Sequence, residues 1–145
     1  MNEKLELLEY MYKSSEMGMQ ALTNVLKELK GKENKLKSII SDELSLYEKY
    51  YKITKSLLKK NKAKYDGNNI MIKTMSKSAI KTEIKKDNSD AKVAHMLIEG
   101  FTMGIVDIES KIKNYDKKVD KDILEIAEDY LKFQQQEIEK LKKYL

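Results

Sequence analysis

The chain has 145 residues, of which 41% are hydrophobic and 37% are charged, so one folded domain is expected rather than a disordered tail or a membrane-spanning protein. It has no cysteine, which excludes disulfides, thiolate nucleophiles and Cys-ligated metals, and its first residues (MNEKLELLEYMYK) do not resemble a signal peptide, so a cytoplasmic location is expected. The net charge of +5 comes from lysines interleaved with glutamates, as in KELKGKENKLK, which is typical of solvated helix faces and not of a specific nucleic-acid site.

Two amphipathic helices are predicted in the first part of the chain. There is no proline and there are only five glycines, so few residues interrupt helices. Inward positions recur at spacings of three and four, as on a helix with one buried face. They are Leu5, Leu8, Tyr12, Ser15, Met19, Leu22, Leu26 and Leu29 in the first helix, and Leu36, Ile39, Glu43, Leu46, Tyr50, Ile53 and Leu57 in the second. Gly31 is placed to end the first helix.

A long connection and two further long helices are predicted next. Residues 61–69 (NKAKYDGNN) contain turn formers, and a short helix follows them. DNSD at 87–90 offers N-cap residues for a third long helix, and NYDKKVDKD leads to a fourth. The expected inward positions are Ile72, Met75, Ala79 and Glu83 in the short helix, then Ala94, Leu97, Phe101, Gly104, Ile108 and Ile112, and finally Ile123, Ala127, Tyr130, Gln134, Ile138 and Leu141. Short loops make each pair antiparallel, so the sequence predicts an all-α, up-down four-helix bundle with one long crossover.

This order of helices, together with MLIEGFTMGIVDIE at 96–109, resembles the ferritin-like superfamily and in particular its small rubrerythrin-like members of unknown function. The resemblance covers nearly the whole chain and implies a ferritin-like bundle whose crossover contains a short extra helix. It also implies where metal ligands would lie, because diiron members carry a glutamate on each of two helices and Glu-x-x-His on each of the other two. The corresponding positions are Glu16, Glu43, Glu99 and Glu128.

The sequence departs from the diiron pattern at both histidine positions. Leu46 stands three residues after Glu43, and Leu131 stands three residues after Glu128. Glu99 and Glu128 also lie outside the predicted inward positions. We therefore expect no metal and no other cofactor, with an iron or manganese pair held by the four glutamates and His95 as the alternative.

Two further polar residues deserve separate interpretation. Glu43 interrupts an apolar stripe, and a buried carboxylate is costly unless it is paired or neutral. It is expected to form a buried hydrogen bond or to reach solvent, with metal or ligand binding as the alternative. Its expected partners are Tyr12, Ser15 and Tyr130. His95, the only histidine, is expected on the helix surface in contact with Glu99.

Gly100 and Gly104 lie one helical turn apart, so one face of their helix lacks two side chains. Such spacing permits close approach of another helix. We expect tight packing within the bundle, with Gly18 as the facing residue, or packing across a dimer. A ligand cleft is the alternative.

No recognised catalytic motif is present: the sequence has no Gly-rich phosphate loop, no Ser–His–Asp set and no Walker-type lysine. Catalytic residues are therefore not expected. The favoured hypothesis is a non-enzymatic bundle that acts through protein contacts, as a homodimer or with another protein. The alternatives are a carboxylate-bridged iron or manganese protein, and a weak lysine-mediated binder of membranes or nucleic acid.

Overall fold

The computed structural model describes residues 2–145, which form five α-helices and no strand. The helices are α1 (Glu3–Glu28), α2 (Lys37–Lys60), α3 (Ile70–Lys86), α4 (Asp90–Tyr115) and α5 (Lys121–Lys142). The all-α prediction is confirmed, and each predicted helix is present. With 17 residues, α3 is longer than the short helix that the sequence predicted. None of the helices in the described residues is long and apolar enough to cross a membrane.

Side-chain caps and one glycine set the helix boundaries near the connections. The Asn69 side chain accepts a hydrogen bond from the Met71 backbone N–H at 2.7 Å, and the Ser89 hydroxyl accepts from that of Lys92 at 3.2 Å. Both bonds satisfy amides that have no partner in the first helical turn. Gly31, just beyond the end of α1, has a φ of +78°, a conformation that glycine adopts without strain.

The connection between α2 and α3 carries the chain back along α1. α1 and α2 are antiparallel, with the rings of Tyr12 and Tyr51 stacked at 5.0 Å. Residues 61–69 then run beside α1, where the Asn68 backbone N–H donates to Glu16 Oε1 at 2.8 Å. From that point α3 continues beside α1 toward the C-terminal end of α1. The long connection therefore spans the bundle, as the sequence predicted.

α4 runs back along α1, and α5 turns round again. The start of α4 is fixed to the end of the α1–α2 loop, where the Lys35 backbone N–H donates to Asp90 Oδ1 at 2.8 Å. At the other end of α4, the Tyr115 hydroxyl donates to Glu6 Oε2 at 2.7 Å. Consequently α2 and α4 run in the same direction, and the crossover joins two antiparallel helix pairs.

α1 is the central helix of the structure. It packs against each of the other four helices, and every residue from Leu7 to Leu22 is buried or half-buried. Leu7 and Met11, which lie outside the predicted stripe, are fully buried. The sequence assigned α1 a single inward face, whereas the connection and α3 cover a second one.

The buried face of α2 is rotated by one residue relative to the prediction. Leu36, Glu43 and Tyr50 are buried as expected, but the other four predicted positions are only half-buried. The fully buried neighbours are Ile40, Tyr47, Thr54 and Leu58, where the sequence predicted Ile39, Leu46, Ile53 and Leu57. Both sets satisfy helical spacing, and packing of the Tyr47 ring decides between them.

Aromatic rings join the two helix pairs. Tyr47 of α2 stacks on Phe101 of α4 with ring centroids 5.7 Å apart and meets Phe133 of α5 edge-on at 5.1 Å. Tyr50 of α2 meets Tyr130 of α5 edge-on, also at 5.1 Å. The two helix pairs leave a wide space between them, and these large rings fill it.

The glycines predicted to pack together do not meet. A Cβ atom at Gly18 would lie 2.5 Å from Tyr47 Cζ, whereas at Gly100 it would have no neighbour within 4 Å. Gly18 therefore faces α2, and the close approach predicted at Gly100 does not occur within the chain. Gly104 is close to the Gln134 side chain of α5 rather than to another glycine.

Alanine at these glycines should have opposite effects on stability. We expect Gly18→Ala to lower the free energy of unfolding by about 1–3 kcal/mol, because the methyl group overlaps the Tyr47 ring. Gly100→Ala should raise it by about 0.5–1 kcal/mol, because alanine has the higher helix propensity and the site is open. Urea denaturation of the two variants measures both changes. A stability loss in Gly100→Ala would contradict the open environment described here.

Candidate functional site

Two carboxyl groups are buried together between α2 and α5. Glu43 is 0% exposed and Glu137 is 2% exposed. Within residues 2–145, no hydrogen-bond donor reaches either carboxyl oxygen of Glu43. Glu137 Oε2 accepts a hydrogen bond from Lys140 Nζ at 3.0 Å, and the lysine side chain itself is 56% exposed. Glu137 is therefore paired with a cation, and Glu43 is not.

This arrangement keeps Glu43 protonated at neutral pH. Burial, assisted by the neighbouring carboxyl of Glu137, raises the pKa of Glu43 to about 9. Lys140 acts in the opposite direction but more weakly. A protonated Glu43 carries a hydroxyl that can donate to the carboxylate of Glu137. Glu43 is then neutral, so its own burial adds no charge to the core.

The expected partners of Glu43 bind elsewhere. The Tyr12 hydroxyl lies 3.4 Å from that of Tyr51, Ser15 Oγ donates to the Met11 carbonyl, and the Tyr130 hydroxyl lies 2.7 Å from Ser14 Oγ. None of the three residues therefore forms the predicted buried hydrogen bond with Glu43. The neighbouring group that most affects the pKa of Glu43 is instead Glu137, on the opposite helix.

The sequence contained a spacing signal for Glu137. It lies three residues after Gln134 and four residues before Leu141, both of which are buried. The apolar choice at this level, Ile138, is only half-buried. The sequence prediction favoured the apolar Ile138 and therefore assigned the wrong side chain to the core.

The amide of Gln134 occupies the space beside Gly104. Gln134 is 1% exposed, and among the described residues its Nε2 has no hydrogen-bond partner. A Cβ atom at Gly104 would overlap Gln134 Oε1. Gly104 thus makes room for a polar side chain of α5. Because Gln134 and the carboxyl pair are shut off from solvent, no substrate reaches them in this conformation.

Glu16 fastens the crossover to α1. Its carboxylate accepts hydrogen bonds from the Asn68 backbone at 2.8 Å and side chain at 3.0 Å, and Lys73 Nζ lies 3.4 Å away. Burial raises the pKa of Glu16, but these donors outweigh it, and the net effect lowers the pKa. A Cβ atom at Gly67 would lie 2.7 Å from the carboxylate, so a larger residue there would displace the Glu16 side chain. The Glu16 carboxylate therefore holds the α2–α3 connection against α1.

The remaining candidate ligands lie on the surface. His95 Nε2 is 2.9 Å from Glu99 Oε1, and both side chains are more than half exposed, which confirms the predicted contact. Glu128 is also exposed. Residues 2–145 contain no group of three or more His, Asp or Glu side chains arranged to hold a metal ion. The four glutamates proposed from the ferritin-like pattern are not brought together.

An open cleft separates α3 from α4. Its walls include Ala79 and Ile80 on α3 and Met96 on α4. At one end Lys92 Nζ pairs with Glu83 Oε2 at 2.7 Å. Outside the cleft, large apolar side chains of the same two helices are exposed: Ile70 (80%), Met71 (69%), Ile72 (51%) and Met75 (65%) on α3, and Met103 (70%) and Val106 (61%) on α4. We call these six residues the apolar patch.

Comparisons of the chain with protein-family models, with curated proteins and with solved structures each find no match. A fold class alone does not specify a function. The function is therefore inferred from two features of the molecule. They are the closed carboxyl pair in the core and the apolar patch on the surface.

The buried carboxyl of Glu43 should make stability fall as pH rises. Unfolded Glu43 loses its proton near its ordinary pKa of 4.5, while folded Glu43 keeps it up to about pH 9. Between these values the unfolded state binds fewer protons, so increasing pH favours unfolding. Glu43→Gln cannot ionise, and we expect its stability advantage over the parent chain to grow across this range. Urea denaturation at several pH values measures it. Glu48→Gln, on α2 with a side chain that is 46% exposed, is the control and should show no such growth.

A hydrophobic replacement of Glu43 should stabilise the protein. We expect Glu43→Leu to raise the free energy of unfolding at pH 7 by about 1–4 kcal/mol, because a poorly paired buried polar group is exchanged for an apolar one of similar size. Glu137 keeps its ion pair with Lys140 in this variant. Thermal and urea unfolding measure the change. A loss of several kcal/mol would instead show that Glu137 needs the Glu43 hydroxyl as a donor.

Proposed function

We propose that this protein is a non-enzymatic, ferritin-like helical bundle that acts through protein contacts, beginning with its own self-association. The observation that carries the proposal is the apolar patch on α3 and α4. Large exposed apolar areas are uncommon on monomeric proteins and mark contact surfaces. Four of its members lie close together on α3, which makes chance exposure a poor explanation.

The direction of the helices supports the ferritin-like part of the proposal. Two antiparallel pairs, α1–α2 and α4–α5, are joined by a connection that spans the bundle. α2 and α4 consequently point the same way, as a single long crossover requires. The short extra helix implied by the resemblance corresponds to α3.

The chemistry of the core supports a role without catalysis. The only carboxyl pair that the described residues bury is closed to solvent, and Lys140 binds its Glu137 member. Glu16, at the equivalent place on α1, is committed to Asn68 and Lys73. These groups hold helices together, and a surface that binds proteins needs no reactive centre.

The apolar patch should determine the oligomeric state. We expect sedimentation equilibrium to show that the parent chain forms a dimer and that Met75→Glu shifts it to monomer, because burying a new carboxylate in an apolar contact is costly. Leu145→Glu is the matched control, since Leu145 is 64% exposed but lies at the C-terminus, outside the patch. It should dimerise like the parent. A parent chain that is monomeric at every concentration tested would contradict self-association.

A further inference from the structure

The helix α3 is held less firmly than the other four helices. Ile84 is the one buried residue among its 17, whereas each of the other helices buries at least five side chains. Within residues 2–145, its only extensive contact with another helix is with α1. Segments with few buried apolar contacts open before the rest of a protein unfolds. α3 is therefore the helix most easily separated from the bundle.

An open groove separates the first two turns of α3 from α1. Its walls include Met19 and Thr23 on α1, and Ile70 and Thr74 on α3. Ile70 is 80% exposed, and Thr74 is exposed as well. These turns of α3 therefore contribute little buried surface to the contact with α1.

The Glu16 carboxylate provides the polar attachment at the start of α3. Its Oε1 atom accepts hydrogen bonds from the Asn68 backbone at 2.8 Å and side chain at 3.0 Å, and Lys73 Nζ lies 3.4 Å away. Hydrogen bonds to an ionised group are stronger than those between neutral groups. The Tyr65 ring, which meets Tyr12 edge-on at 5.0 Å, adds an apolar contact at this end. The polar attachment to α1 thus depends on one acceptor side chain.

The weakly held segment has defined limits. Lys62, at its start, has a φ of +54°, a left-handed conformation that residues other than glycine seldom adopt. At its other end, Ile84 is fully buried, and Glu83 pairs with Lys92 of α4 at 2.7 Å. These contacts fix the last turn of α3 to the bundle. We call residues 62–82, which lie between the two limits, the strap.

We propose that the strap leaves α1 as one unit while the other four helices stay folded, and that the Glu16 carboxylate holds it closed. An isolated helix of this length is marginal in water, so the strap loses its helix when it leaves α1. The open state uncovers a face of α1 that includes Tyr12 and Met19. Opening takes place within one chain, so it does not depend on self-association or on protein concentration.

Hydrogen exchange of the full chain, measured by NMR, tests the strap. After correction for intrinsic rates, the backbone amides of residues 74–82 should share one opening constant. They should exchange at least about a hundredfold faster than the amides of Leu22 in α1 and Tyr130 in α5. Glu16→Gln should raise the opening constant of the strap at least about tenfold, because a neutral amide is a weaker acceptor than a carboxylate.

Two control variants separate strap opening from unfolding of the whole chain. Glu9→Gln is the matched control on α1, since Glu9 pairs with Lys13 of the same helix, and it should leave exchange of the strap unchanged. Ile123→Val shortens a core side chain that is 1% exposed. It should speed exchange at Tyr130 about threefold without affecting the strap, because the core contact persists when the strap opens.

Three results would overturn the proposal. Strap amides protected as strongly as that of Tyr130 would show that no separate opening occurs. Equal acceleration of the strap and of Tyr130 by Ile123→Val would show that α3 opens only with the whole chain. Exchange of the strap that is the same in Glu16→Gln and the parent chain would show that the Glu16 carboxylate does not hold it.

Discussion

The burial of α1 on all sides is the constraint on which the rest of the structure depends. A central helix needs neighbours around its whole circumference, and four helices supply them. This requirement explains why the connection after α2 runs back along α1, since it covers a face that the long helices leave open. It also explains why Glu16, on that face, binds the connection through Asn68 and Lys73. These contacts hold the long connection against α1 as part of the fold.

The space between the two helix pairs is filled by rings and by one polar layer. Tyr47, Phe101 and Phe133 pack between the pairs. Glu43 lies one turn before Tyr47 on α2, and Glu137 lies one turn after Phe133 on α5. An apolar core would be more stable at that level. The facing position of the two carboxyls depends on one register of α2 against α5, because a slide of one residue would separate them. We infer that the pair contributes specificity at a cost in stability.

The surface of α3 differs from the core of the bundle. α3 is attached to α1 by few buried contacts, and Ile84 is its one fully buried residue. Its opposite side presents isoleucine and methionine to solvent beside a row of lysines. Methionine adapts its shape readily, which suits a contact surface that must pack against a separate molecule. The crossover helix α3 therefore has two different faces. One packs against α1, and the other is exposed to solvent.

The sequence by itself determined the helices, their order and the unusual position of Glu43. Spacing and capping residues specify local structure, because they act within a few residues. Only the tertiary structure decided that Glu137 faces Glu43, that Tyr47 rather than Leu46 is buried, and that Gly100 is open while Gly104 accommodates Gln134. A shift of one residue turns a helix face by about 100°, and sequence spacing tolerates that shift. What lies opposite each face depends on how distant helices pack, and no local pattern in this chain specifies it.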